Sequence, residues 1–166
     1  HIVHHRCLGE DREKVAQFGA AMMRGMRDGG VAGSAKHFPG HGDTNVDSHK
    51  ALPVLPYSVE RLDSLEFHPF KRLIAEGVDM VMVGHMSVPS LDPTGTPSSI
   101  SKPIVTGLLR EKLGFDGIEQ SQQELPSSIL ALHCKNRQQH CNKDHILHLP
   151  LQSRYVQRYR LDIQPC

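Results

Sequence analysis

No glycine follows Gly117 in this chain of 166 residues, although 14 lie at or before it. Over the stretch from Glu119 to Cys166, glutamine occurs eight times and histidine four. So abrupt a change is unusual inside one folded unit, and it excludes glycine turns from the last third. Charge of one sign is missing as well. Nineteen basic residues face 18 acidic ones, for a net charge of +1, which excludes steering of the whole molecule toward nucleic acid or an anionic membrane. No apolar run approaches the roughly 20 residues that span a bilayer. The opening HIVHHRCLGED has no apolar core of the kind a signal peptide needs. The four cysteines, Cys7, Cys134, Cys141 and Cys166, show no paired CxxC spacing, so a zinc module or disulfide ladder is excluded and reduced thiols are expected.

What the first 118 residues contain is an alternation of helical and extended patterns, with length enough for one core. Asp11 is placed to cap a helix with Val15, Phe18, Met22 and Met26 as its apolar face, stopping at Gly29-Gly30. A strand is expected within Val31–Phe38. Ser58 caps a second helix with Leu62 and Leu65 inward, and Pro69 should break it before a turn through Phe70, Leu73 and Ile74. Asp79–His85 reads as a strand covered on both faces. A connection rich in Pro, Ser and Thr leads to a third helix, with Pro103 at its start, Ile104, Leu108 and Leu109 as its stripe, and Gly114 at its end. FDGI then opens another strand. This alternation predicts a parallel α/β sheet, and the pattern alone leaves barrel and open sheet equally open.

The chemistry concentrates in AKHFPGHGDTNVDSHKALP, residues 35–53. Such a loop follows a strand at its C-terminal end, where parallel sheets place their sites. Asp47 stands two residues before His49, a spacing at which a turn can bring the carboxylate to the ring Nδ1–H and prepare the other nitrogen for proton transfer. Lys36 and His37 supply donors suited to substrate hydroxyls or a developing oxyanion. His37 and His41, four apart, imitate a metal-ligand pair that Asp43, Asp47 and His49 could complete. Pro39-Gly40, however, removes the helix on which such a pair would share a face. No metal site is assigned, and the tail's Cys134, His140, Cys141, His145 and His148 match no regular zinc spacing.

AKHFPGHGDTNVDSH resembles the signature loop of the β-N-acetylglucosaminidases of glycoside hydrolase family 3. HHRCLGEDREKVAQFGAAMMRGMRDGGV is similar to the family's R-S-F-G-x-D turn and following helix, with Cys7-Leu8 where Ser-Phe is usual. EGVDMVMVGHMSVPSLDP and IVTGLLREKLGFDG fit as well, so the resemblance runs from Arg6 to about Ile118. It implies a central section, residues 1–118, of a (β/α)8 TIM-type barrel, and a retaining mechanism through a covalent glycosyl-enzyme. By position, His49 is the acid/base and Asp47 its partner. Arg6, Lys36 and His37 match positions that hold the N-acetylglucosamine unit, and His85 lines the same mouth. The implied partner is an N-acetylglucosamine-containing glycan, cell-wall-derived or chitin-like. No cofactor, metal, nucleic acid or membrane is implied, and the compartment, cytoplasm or cell envelope, stays open.

One departure stands out. In the family, the strand opened by GFDG continues into a Thr-Asp or Ser-Asp pair whose Asp is the nucleophile. Here the chain reads GFDGIEQSQQELP, with Ser121 and Gln122 where that pair should fall. An amide cannot attack as a carboxylate does. Glu119 and Glu124 would need a shifted register, and Glu119 belongs on the opposite strand face from Gln122. No nucleophile is therefore identified. Residues 119–166 are expected to form an unrelated, poorly ordered tail rather than a domain, as a gene fragment or frameshift would leave, and the open sheet edges to favour aggregation. Besides glycoside hydrolysis, three readings remain: a non-catalytic sugar-binding or structural remnant, a metal-dependent hydrolase using the His/Asp loop, and phosphorolysis, since a neutral histidine repels phosphate less than a carboxylate.

Overall fold

The computed structural model describes residues 7–44 and 51–122, together with the main chain of 160–162. Asp47 and His49, Arg6, Glu124 and the cysteines and histidines of the tail lie outside the described residues.

Helix α1 spans Arg12–Asp28, and the Asp11 side chain accepts the Lys14 N–H at 2.9 Å, as the capping pattern predicts. Gly30, at φ +74°, turns the chain out of the helix, and the Val31 N–H closes onto the Met26 carbonyl at 2.8 Å. The buried face corrects the expected one. Val15, Ala16, Gly19, Ala20 and Met23 face the core, whereas Phe18 and Met22 are 55% and 48% exposed. Small residues at this seam let α1 lie close to α3, and a stripe read from large side chains points about one position away from it.

Strand β1 is Ser34–Phe38, β2 is Met80–Val83 and β3 is Ile118–Ser121, each shorter than or shifted from its sequence expectation. All run parallel. Ser34, Ala35 and Lys36 pair with Met80, Val81 and Met82, then the register slips so that Phe38 meets Val83, a bulge that leaves His37 as the extra residue. Met80–Val83 pair in step with Ile118–Ser121. Strand β3 therefore crosses the composition boundary after Ile118. A short strand β4, Arg160–Asp162, pairs parallel with β1, giving the order β3-β2-β1-β4. The parallel α/β organisation is the one the alternating pattern predicts.

Between β1 and β2 lie α2, Val59–Ser64, and α3, Phe67–Ala75. The break falls at Leu65–Glu66 rather than at Pro69. Pro69 sits inside the first turn of α3, where its missing N–H would have had no intrahelical partner in any case. Helix α3 covers Phe38, whose ring stacks with Phe67 at 6.0 Å and meets Phe70 edge-on at 5.2 Å between centroids. Leu62, Leu73, Val81 and Val83 complete this core.

After β2, the connection rich in Pro, Ser and Thr is organised by Asp92. Its carboxylate accepts Ser101 Oγ at 2.6 Å, Thr94 Oγ1 at 2.6 Å and the Thr94 N–H at 3.1 Å. A short 3-10 turn, Ser98–Ile100, docks through Ser98, whose N–H and hydroxyl both donate to the Met86 carbonyl, at 2.8 and 2.7 Å. The helix Pro103–Lys112 that follows is wound wider than an α-helix; the Leu113 N–H bonds the Leu108 carbonyl five residues back. Ile104, Val105, Leu108 and Leu109 are buried, and Gly114 at φ +72° ends the element. Arg110 then donates to the Phe115 and Gly117 carbonyls, at 3.1 and 2.7 Å, and guides the chain into β3.

Candidate active site

The C-terminal ends of β1, β2 and β3 bring together Lys36, His37, His85 and Gln122. Lys36 and His37 lie in the last three residues of β1 and are each 5% exposed. The peptide bonds Lys36–His37 and Phe38–Pro39 are cis. Directly after β2, Gly84 donates to the Phe38 carbonyl at 2.7 Å, and a Cβ at Gly84 would stand 3.4 Å from His37 Cβ and 3.5 Å from Gln122 Oε1. A Cβ there would press most closely on Met86 Cε, so the bare Gly84 leaves room for the Met86 side chain beside the three strand ends. Gln122 follows β3, its N–H donating to the Val83 carbonyl at 2.9 Å, while its side-chain Oε1 accepts the His85 N–H at 3.0 Å. His85 Nδ1 lies 2.8 Å from the hydroxyl of Ser99, and burial pulls the imidazole pKa below its ordinary 6.5.

Of the residues singled out in the sequence, the fold thus gathers Lys36, His37 and His85. Glu119 goes elsewhere. Its carboxylate lies 4.0 Å from Arg110, on the opposite side of β3 from Gln122. Among the described residues, no group of three or more His, Cys, Asp or Glu side chains could hold a metal ion.

The turn Gly40–Thr44, from which the chain leads to Asp47 and His49, is held by partners the sequence did not announce. His41 is 2% exposed; its ring meets that of His37 edge-on at 5.4 Å between centroids, and Thr44 Oγ1 stands 2.5 Å from its Nδ1. Tyr57 donates its phenol proton to Asp43 Oδ2 at 2.5 Å, which raises the phenol pKa, and the Arg61 guanidinium covers the Tyr57 ring at 5.0 Å. Arg61 Nη1 also reaches both oxygens of Glu66 at 2.6 Å. Glu66 is 6% exposed, and burial pushes its carboxyl above the usual range against the opposing pull of Arg61. On the far side, the Leu55 N–H donates to the Ser87 carbonyl at 2.9 Å and the Ser87 N–H to the Pro53 carbonyl at 2.8 Å.

The description "Glycosyl hydrolase family 3 N terminal domain" matches residues 3–138. The chain belongs to glycosyl hydrolase family 3. Its family-3 relatives include the β-hexosaminidase of Methylobacillus flagellatus, 32% identical over 117 residues, which are 70% of this chain and 33% of the relative. The family 3 β-N-acetylglucosaminidase of a Paenibacillus species superposes with a TM-score of 0.67 at 41% identity, over 70% of this chain and 25% of that one. NagZ of Neisseria gonorrhoeae, solved in complex with N-trifluoroacetyl-D-glucosamine, superposes with a TM-score of 0.69 at 32% identity, over 73% and 34%. The chain spans about a third or less of the length of the curated relatives it matches. The family assignment agrees with the resemblance of the loop, and the family match extends past Ile118 into the glycine-free region.

Proposed function

We propose that this chain carries the sugar-holding and proton-transferring part of a retaining β-N-acetylglucosaminidase site, on a section of a (β/α)8 barrel. The observation that carries the reading is the convergence of buried Lys36 and His37 with His85 and Gln122 at one end of three parallel strands. Cationic and imidazole donors, shielded from water, suit a ring of sugar hydroxyls. The relatives named above as β-hexosaminidases and β-N-acetylglucosaminidases support a terminal N-acetylglucosamine as the unit bound. In this reading His49, oriented by Asp47, protonates the departing glycosidic oxygen and later takes a proton from water. Lys36 and His37, with Arg6, hold the sugar hydroxyls.

Retention also needs a carboxylate on the opposite face of the anomeric carbon. Position 122 lies at the end of β3 beside His37 and His85, where such a group would be useful, and it holds an amide. This favours a second reading, sugar binding without turnover. Titration calorimetry with N-acetylglucosamine, run beside a chromogenic β-N-acetylglucosaminide assay, separates the two. Hydrolysis by the parent chain supports the first reading. Binding with no hydrolysis supports the second. Absence of both overturns the assignment of this site to N-acetylglucosamine.

A further inference from the structure

We infer that Ser99 is a positioning residue that fixes His85 as the Nε2–H tautomer, so that the imidazole presents a neutral N–H donor to a sugar oxygen. The inference rests on the sugar-binding reading above and adds a residue to it. Ser99 is fully buried on the 3-10 turn, and its hydroxyl makes its hydrogen bond to His85 Nδ1 at 2.8 Å. A buried hydroxyl must send its proton to an acceptor, and among the described residues the acceptor within reach is this ring nitrogen. The alternative arrangement, Nδ1–H donating to Ser99 Oγ, would leave the Ser99 proton buried without a partner, at the desolvation cost such groups carry. The neighbouring hydroxyl, Ser98, is already committed to the Met86 carbonyl at 2.7 Å and cannot substitute. With Nδ1 an acceptor, the ring's single proton sits on Nε2. The partial burial that disfavours the imidazolium works in the same direction.

The backbone holds the ring from its other side. The His85 N–H is bound by Gln122 Oε1 at 3.0 Å, so main chain and ring are fixed by two different elements, β3 and the 3-10 turn. A ring held this way loses little freedom when it meets a ligand, and a neutral donor suits a hydroxyl or an amide carbonyl better than it suits a cation. The Ser-Ser pair otherwise reads as part of a connecting loop.

Nitrogen-15 NMR of the histidine rings tests this, with His85 assigned by difference against His85→Gln. At neutral pH the parent should show an unprotonated-type Nδ1 and a protonated-type Nε2 for His85. An Nδ1–H or imidazolium pattern overturns the inference, and this measurement needs no Ser99 variant to fold. Ser99→Ala, folded by circular dichroism, should show a mixed tautomer pattern and bind N-acetylglucosamine about threefold to tenfold more weakly, the effect of one hydrogen bond. An unchanged pattern with unchanged affinity overturns it. If the parent gives no heat with N-acetylglucosamine, the sugar-binding reading falls, and with it the donor role. The parent spectrum still decides whether Ser99 sets the tautomer.

Discussion

Glu66 lies directly against Gly40: a Cβ at Gly40 would stand 2.6 Å from Glu66 Cγ and 2.9 Å from its Cβ. Gly40 also sits at φ +148°, where an L side chain is strained. The turn that opens the His/Asp loop is therefore seated on the buried Glu66 carboxylate, which the half-exposed Arg61 of α2 pairs with. Gly40→Ala should cost about 2–4 kcal/mol, combining overpacking with backbone strain. Gly95→Ala, at φ +76° with nothing within 4 Å, should cost only the strain, about 1–2 kcal/mol. Thermal melts of the two variants check the order.

The Arg61–Glu66 pair should be asymmetric to mutation. Arg61→Met leaves a buried carboxylate with its main partner gone and should cost about 1–3 kcal/mol, the low range because Arg61 is itself partly exposed. Glu66→Gln removes the buried charge. Because the Glu66 carboxyl is raised in the folded state, its contribution is full below the unfolded value of 4.5 and is lost as pH rises through the folded one. Subtracting the Glu66→Gln stability profile from that of the parent should show this falling step on the side above pH 4.5. A difference that stays flat there contradicts the cause assigned to the shift.

His85 should give the opposite sign. Its folded pKa is lowered by burial, so its contribution to stability is full above 6.5 and is lost as pH falls below that value toward the folded pKa. His85→Asn should flatten the parent's acid-side slope in that window, as chemical denaturation at a series of pH values would show. A slope identical in both proteins would mean that the ring is solvated and unshifted.

Phe38 joins the sheet to α3 through two aromatic contacts at full burial. Phe38→Ala should cost about 3–5 kcal/mol, a large share of the stability of a chain this size. Phe18→Ala, on the exposed side of α1, should stay within about 0.5 kcal/mol, near the range of surface substitutions. Urea titrations of the pair test the corrected helix face directly.

Gln122→Asp places a carboxylate at the end of β3, beside His37 and His85. If the proposed chemistry is right, the variant should hydrolyse a chromogenic β-N-acetylglucosaminide faster than the parent. His49→Ala in the same background should lower that rate by about 100-fold or more, the usual contribution of a positioned acid/base group. A Gln122→Asp protein that binds the sugar but gains no rate would place the missing carboxylate elsewhere.

The amino-acid sequence alone determined the caps and stops of this fold, because these are local: Asp11 and Ser58 capped their helices, Pro103 began one, and Gly30 and Gly114 took the positive φ that other residues avoid. The family was legible too, carried by one contiguous loop whose residues are read without knowing their neighbours. Tertiary structure decided what depends on distant partners. Which face of α1 is buried follows from how closely small residues let α3 approach, and the break at Leu65–Glu66 goes with Glu66 seated against Gly40 and bonded to Arg61. Glu66 beneath Gly40, Tyr57 on Asp43 and Ser99 on His85 join residues 14 to 26 positions apart. A hydrogen bond or a close approach at that separation is set by the folded path of the chain, and no local propensity encodes it.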